Sequence, residues 1–329
     1  MEELKNKILQ GDCIKELGKV KEPFVDLIFA DPPFNIGYKY DKYNDTVKRE
    51  HYVGWTKEWM SSCVHVLKPT GSFYVAIGDE YAADIVDSAR RLDLHMRNWI
   101  IWHYTFGQQM QNKFARSHTH ILYFTKNKKG FTFNDMSIRV MSDRQKYYED
   151  KRANPSGKIP DDVWKEFPRV CGTFEERVGW HPCQMPESIL ARIIRASSNE
   201  GDWVLDPFSG SGTTAVTAKK LERNFTGIEL SKDYVKASLE RIEDSENCQI
   251  EGEGSNIWTK HDEKELKWLY HETDIASDML LKKPHLLQIF TEQFNNRLNH
   301  SKTHYTPNEI VDHLIRMRKS GKLGPLRKR

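Results

Sequence analysis

Between Val25 and Glu229, short runs rich in Val, Ile, Phe, Tyr and Trp alternate with longer stretches of helical periodicity. A chain with that rhythm has few ways to bury its strands: helices must cover both faces of a sheet whose strands run mostly parallel. The runs are Val25 to Ala30, Ser72 to Ile77, Trp99 to Tyr104, His120 to Thr125, Trp203 to Leu205 and Phe225 to Glu229, and a strand-like pattern begins earlier, at Lys7. Helices are expected over Glu50 to Leu67, closed by Pro69 and Gly71, and over Glu80 to Leu92, Glu187 to Ser197, Thr213 to Leu221 and Lys232 to Ile242. The expected fold is α/β, with a doubly wound, mostly parallel, Rossmann-like sheet.

The rhythm fails between about Lys126 and His181, where charges, aromatic residues and an Asn154-Pro155-Ser156-Gly157 turn replace it. Residues 126–181 therefore read as a lobe inserted into a catalytic domain of residues 1–250. Past Ile242 a linker-like stretch, Glu251 to Asn256, leads into a polar helical domain, residues 251–329. Its best-defined helix starts at Thr306, with Pro307 at the first helical position and Glu309 completing a capping box, and stops at Gly321. Arg316, Arg318, Lys319 and Lys322 cluster near its end; DNA contact, complementing the helix dipole and homodimer formation are three uses for it. The last residues, Arg327 to Arg329, are expected to be disordered.

With 329 residues, 38% of them apolar, the chain can build one large core and a smaller one. A net charge of +3 with 29% charged residues excludes a histone-like polycation, so any nucleic-acid surface must be local. There is no run of 18 apolar residues and no signal-peptide core, which points to a cytoplasmic protein with no membrane partner. The five cysteines are scattered without a Cys-x-x-Cys, so reduced thiols are expected, and no metal centre.

Chemistry enters at two strand ends. Asp31-Pro32-Pro33-Phe34 follows the run Val25 to Ala30, and a strand's carboxyl end is where doubly wound sheets hold ligands. The prolines fix the backbone and remove two donors, leaving a carboxylate, a free carbonyl and an aromatic face. That set suits an aromatic amine, whose two hydrogens can be accepted while the ring stacks. Asp206-Pro207-Phe208-Ser209-Gly210-Ser211-Gly212-Thr213-Thr214 follows the run Trp203 to Leu205 and opens a helix; its glycines allow close approach of a ligand. No Gly-Lys-Ser/Thr is present, so a ligand without phosphates fits better. A third run ends in Gly227-Ile228-Glu229, whose carboxylate can accept ribose hydroxyls.

In this order the sequence resembles the DNA amino-methyltransferases of the permuted beta class, and the likeness runs from about Leu9 to Ile242. Gly11-Asp12-Cys13, His181-Pro182-Cys183-Gln184-Met185-Pro186 and Gly227-Ile228-Glu229-Leu230 agree with it, although Met185 stands where the family usually has Lys. The resemblance implies S-adenosylmethionine as cofactor and duplex DNA as partner, with base flipping. It implies that Asp12 contacts the cofactor adenine, Glu229 its ribose and Phe208 to Thr214 its methionine part, and that Asp31 and Phe34 hold the target base. The candidate catalytic residues are Asp31, Pro32, Pro33 and Phe34. The candidate cofactor residues are Asp12, Cys13, Asp31, Asp206, Phe208, Gly210, Ser211, Gly212, Thr213, Thr214 and Glu229. Aspartate at the first motif position is commoner among the family's adenine-N6 enzymes, which favours N6 of adenine over N4 of cytosine. A DNA-binding regulator that keeps the cofactor site without turnover is the alternative of another class.

Outside the motifs, His118 and His120 share a strand face; without a third ligand they suit packing or DNA contact better than zinc. Trp55 and Trp59, one helical turn apart, are expected in the core. Arg144, Lys146, Lys151, Arg152, Arg169 and Arg177, interleaved with Tyr147, Tyr148 and Trp164, are where phosphate contacts and base readout are expected.

Overall fold

The computed structural model describes residues 2–108, 111–148, 150, 152–172, 176–245, 258–298 and 304–326. The expected linker Glu251 to Asn256, the tail Arg327 to Arg329, Lys151 and Cys248 lie outside these residues. The chain divides into two compact units, Met1–Phe133 with Asp162–Asn247, and Asn134–Asp161 with Cys248–Arg329. The segment expected as an inserted lobe is thus shared between the units, residues 134–161 falling in the second.

The first unit is built on a sheet of eight strands: β1 Lys7–Gln10, β2 Val25–Ala30, β3 Leu67–Ile77, β4 His95–Gln108, β5 Arg116–Thr125, β6 Val163–Trp164, β7 Trp203–Asp206 and β8 Asn224–Glu229. Their order is β1-β8-β7-β2-β3-β5-β4-β6. Pairings from β1 through to β3 are parallel, as is β4 with β6; only β5 is antiparallel to both its neighbours. This is the mostly parallel α/β sheet expected. Its helices are α1 Cys13–Leu17, α2 Arg49–Val66, α3 Ala82–Arg91, α5 Glu187–Ser197, α6 Thr213–Lys220 and α7 Lys232–Asp244. Among the described residues no helix is long and apolar enough to cross a membrane.

Burial explains the near-continuous apolar character of β2: Val25, Leu27, Ile28, Phe29 and Ala30 are all buried, as a strand covered on both faces requires. Asp26 is the exception. Its carboxylate takes the Lys68 ammonium at 2.8 Å and the Trp203 amide at 2.9 Å, so it ties the start of β2 to both neighbouring strands. The α2 face that packs on the sheet presents Tyr52, Trp59, Met60, Cys63 and Val66, all buried. Truncating a side chain like Trp59 would cost about 3–5 kcal/mol.

Pro69 and Gly71 do not close α2 in a turn: β3 begins at Leu67, immediately after the helix, and both residues lie where its register against β2 shifts, Val25 facing Leu67 and Leu27 facing Ser72. A bulge is where a strand tolerates proline, because the missing donor belongs to no ladder bond. Trp55 is not a core residue like Trp59; it is half-buried and faces the cavity described below.

The second unit holds α4 Asp143–Tyr147, α8 Lys260–Thr273, α9 Ser277–Lys282, α10 Pro284–Arg297 and α11 Pro307–Lys319. Three of these helices begin with reciprocal capping boxes, Ser142 with Gln145, Thr259 with Asp262 and Thr306 with Glu309. The core stacks Trp258 on Tyr305 and on His313, with ring centroids 4.1 and 3.9 Å apart, over Leu266, Phe290, Phe294, Ile310 and Leu314. Met141, from the segment before α4, packs into the same cluster.

Candidate functional site

Because β8, β7 and β2 are consecutive and parallel, their carboxyl ends share one edge of the sheet, and these ends carry Glu229, Asp206 and Asp31. β5 runs the other way, so its amino end, Arg116 and His118, reaches the same edge as the carboxyl end of β4. Above this edge opens a cavity of about 720 Å³, whose lining among the described residues belongs to the first unit. Asp12, Cys13, Asp31, Pro32, Pro33, Phe34, Asp206, Phe208, Gly210, Ser211, Thr213, Thr214 and Glu229 all line it. Of the candidate site residues only Gly212 does not.

The Asp206 loop is held by its own hydrogen bonds. One carboxylate oxygen of Asp206 accepts the Phe208 amide at 2.9 Å and the other the Thr214 hydroxyl at 2.5 Å. Glu229 accepts the Gly210 amide at 3.0 Å and the Ser231 amide at 2.8 Å. Each carboxylate oxygen has capacity for a second donor, so both groups can still receive a ligand. Asp12 caps α1 through the Lys15 amide at 3.1 Å.

The two glycines of the loop are also required by the protein's own packing. Gly210 and Gly212 have φ of +48° and +72°, conformations in which a side chain is strained. Moreover, a Cβ on Gly210 would meet His181 Nε2 at 2.8 Å, and one on Gly212 would meet Ser238 at 2.9 Å. The close approach is made by the protein's own side chains. Ser209, buried in the same loop, has a hydroxyl with no hydrogen-bond partner.

The Asp31 loop differs. Among the described residues no donor reaches the half-buried Asp31 carboxylate or the Pro32 carbonyl, whereas the Pro33 carbonyl accepts the Tyr52 hydroxyl at 2.6 Å. The loop beyond is shaped by buried Asp45, which accepts the amides of Asn35 at 2.7 Å, Ile36 at 3.1 Å and Tyr38 at 2.9 Å. Asn35 itself has φ of +56° and bridges Val47 and the Tyr81 hydroxyl. Phe34 lies against Gly78 at the end of β3, in ordinary contact range of a Cβ there at 3.4 Å. Nothing in the run Tyr38 to Thr46 marks Asp45 as buried, since its neighbours read as a charged surface turn. Sequence reasoning also passed over Tyr38, Tyr40, Tyr43 and Tyr234, which line the cavity.

Burial sets the protonation of the site. Desolvation, reinforced by the nearby Asp206 charge, pushes Asp31 up to about 8. Desolvation outweighs two hydrogen bonds to push Asp206 up to about 7. Glu229 is raised for the same first reason, and Cys183 is pushed up to about 11, so its thiol stays neutral. His181, pushed down to about 4 by burial, is an uncharged imidazole at neutral pH. Three raised carboxyls on one edge make a site that gains from a cationic ligand.

Gln184 is used locally: its amide donates to the Glu176 carbonyl at 2.6 Å and its oxygen accepts the Val178 amide at 2.9 Å. Of the residues expected to meet DNA, Lys146 is buried with its ammonium on the Thr273 carbonyl, and Trp164 is buried under the Arg192 guanidinium at 5.1 Å. Long side chains with apolar stems pack inward as readily as outward, which composition alone does not distinguish. Arg152 pairs with Asp150 at 2.9 Å, and Arg177 donates to the Gly172 carbonyl at 3.0 Å. Arg169 lines the cavity. His118 lines it too, whereas His120 turns to Trp99, whose indole N–H donates to its Nδ1 at 2.8 Å.

An open edge of this kind, with carboxylates on adjacent parallel strands, defines a nucleotide-type α/β enzyme fold. The DNA methylase (N6/N4 amino-methyltransferase) family profile matches residues 25–240, and the chain belongs to that family, whose members depend on S-adenosylmethionine. It is 39% identical over 242 residues to the type II methyltransferase M.HpaI of Haemophilus parainfluenzae, covering 73% of this chain and 75% of that protein. It is 39% identical over 244 residues to the DNA adenine methyltransferase YhdJ of Escherichia coli K12, covering 72% and 82%. Among solved structures, the PvuII cytosine-N4-specific DNA methyltransferase superposes with a TM-score of 0.55 at 18% identity, over 73% of this chain and 90% of that one. The M1.HpyAVI–SAM complex superposes at 0.52 and 23% identity, over 72% and 98%. These last two likenesses concern the fold.

Proposed function

We propose that the protein methylates N6 of adenine in duplex DNA, with S-adenosylmethionine as donor and the target base turned out of the helix. The observation that carries this reading is the Asp31 carboxylate: half-buried, without a donor among the described residues, beside the equally unpartnered Pro32 carbonyl and the Phe34 ring. Two acceptors and a ring are what an exocyclic aromatic amine requires.

The cavity fits the cofactor by its donor set. Asp12, Asp206 and Glu229 offer acceptors for a nucleoside, and the carboxyls raised by burial favour a cation. Bound there, S-adenosylmethionine supplies an electrophilic methyl group on a cationic sulfur. Glu229 would hold the ribose hydroxyls with its remaining lone pairs, and the Phe208 to Thr214 loop the methionine part.

The chain's task is to make a poor nucleophile reactive. An adenine amino group delocalises its lone pair into the ring; accepting both hydrogens, at Asp31 and the Pro32 carbonyl, favours the pyramidal geometry in which the pair is free. Tyr52, by engaging the Pro33 carbonyl, fixes the backbone that presents Pro32. Phe34 stacks on the base, and Asp31 takes the surplus proton, for which a carboxyl titrating near neutrality is well matched. Positioning supplies most of the remainder. The base must leave the stack to reach Asp31, at a cost of a few kcal/mol. Support for adenine comes from the E. coli relative, named an adenine methyltransferase, and from aspartate at the first motif position.

Incubating duplex DNA with methyl-labelled S-adenosylmethionine and digesting it to nucleosides tests the reading. Labelled N6-methyladenine is expected. Labelled N4-methylcytosine would correct the base, and unlabelled DNA would leave a regulator without turnover.

A further inference from the structure

Among the described residues three lysine and arginine side chains line the cavity, Lys42, Arg116 and Arg169. Lys42 lies 3.9 Å from Asp41, and Arg116 pairs with Asp79 at 2.7 Å. Arg169 has no carboxylate partner among the described residues, although the cavity itself holds Asp31, Asp206 and Glu229. Yet it is not a loose surface side chain. Its guanidinium carbon lies over the Tyr104 ring, 5.0 Å from the centroid. That ring is buried and its hydroxyl donates to the His118 carbonyl at 3.0 Å. Two residues before Arg169, the buried Phe167 accepts the Trp102 indole N–H on its carbonyl at 2.8 Å. Backbone and side chain are therefore both held against the carboxyl end of β4, while Arg169 as a whole stays exposed.

A stacked guanidinium spends its face on the ring and keeps the N–H edge for a planar, anionic acceptor with paired oxygens. We infer that Arg169 is the phosphate clamp of the target nucleotide: it receives the phosphodiester beside the base held at Asp31. This rests on the DNA-methylating reading above and adds to it a residue for substrate binding. The charge pattern supports a phosphate over a base edge. The carboxylates cluster on β8, β7 and β2, and Arg169 holds its positive charge at the opposite, β4 side of the cavity, where a flipped nucleotide's backbone would remain as its base enters.

The test is a binding cycle between protein and DNA. After the modified position has been mapped by sequencing methylated DNA, duplexes carrying that site are made with a neutral methylphosphonate at each flanking phosphate in turn. Arg169→Ala is expected to weaken duplex binding about 10- to 100-fold. It is also expected to lower the slope of log Kd against log salt by about 0.9, the loss of one phosphate contact. One methylphosphonate should weaken the wild-type protein to a similar extent and leave Arg169→Ala unaffected. Arg169→Lys, which keeps the charge without the fork, should fall between. Additive losses, an unchanged salt slope, or a loss that depends on which base pairs flank the target would overturn the clamp; the last would make Arg169 a base reader. S-adenosylmethionine affinity, measured by calorimetry, should be the same in all three proteins, and a changed value would signal a merely structural role. A mapped modification at N4 of cytosine rather than N6 of adenine would instead overturn the proposed base and leave the clamp standing.

Discussion

The loops after β7 and β2 leave adjacent strands from the same edge, and each begins with Asp-Pro, but their carboxylates are in opposite condition. Asp206 and Glu229 accept two donors each from their own surroundings. Asp31 accepts none among the described residues. The first arrangement is a finished platform, rigid before any ligand arrives. The second is an acceptor left incomplete, whose burial without donors is unfavourable until an amine supplies them. On the proposed reading, one loop holds and the other reacts.

The sharpest way to break this comparison is Asp31→Ala, expected to lower single-turnover methyl transfer by at least ~1000-fold. Duplex affinity should stay within about threefold, because phosphate contacts dominate it. Substantial turnover in that variant would end the reactive role of the loop.

The pH profile comes next in size. Asp31, raised to about 8, is neutral below that pH and then cannot take the surplus proton. For the free enzyme, kcat/KM should rise about tenfold per unit up to an inflection near 8 and then level. The inflection in kcat should lie lower, since a bound cation favours the carboxylate. A flat profile between pH 6 and 8 would remove Asp31 as the titrating group.

Stability should separate the two aspartates. Asp206→Ala leaves the Phe208 amide and Thr214 hydroxyl without partners, at a cost of about 2 kcal/mol, or roughly 4–8 °C in Tm, when melted at pH 5, below its own raised value of about 7. Asp31→Ala should do the reverse. A carboxyl whose folded pKa is raised contributes stability below its unfolded pKa and loses it as pH rises through the folded value. The variant should therefore match the wild type near pH 4 and exceed it above pH 8, by thermal melting. Equal losses for both variants would mean that the loops do not differ in kind.

Tyr52→Phe is the mildest probe. Removing the hydroxyl that engages Pro33 should cost about 1 kcal/mol, or about fivefold in kcat, with cofactor affinity unchanged. A drop confined to cofactor affinity would place Tyr52 in the other loop's service.

Much of this site could be read from the chain alone. All six expected strand runs are strands, and five expected helices appear within a few residues of their bounds. Asp31, Asp206 and Glu229 were legible because each follows an apolar run directly, so that strand and functional end are neighbours in sequence. The capping box at Thr306 was legible for the same reason, since a helix start is decided within four residues.

Other features required the fold. Which strand ends meet depends on the order β8-β7-β2, which local patterning does not encode. Asp45 shapes the Asp31 loop, Tyr52 holds Pro33 from 19 residues away, and Ser231 reaches Asp41 across 190 residues. The two loop glycines were read as room for a ligand, and only the fold shows that they also make room for His181 and Ser238. Sequence rules act through the backbone over a turn or a strand. Contacts between distant residues arise only when buried surfaces choose their partners, and that choice set the difference between a carboxylate with two donors and one with none.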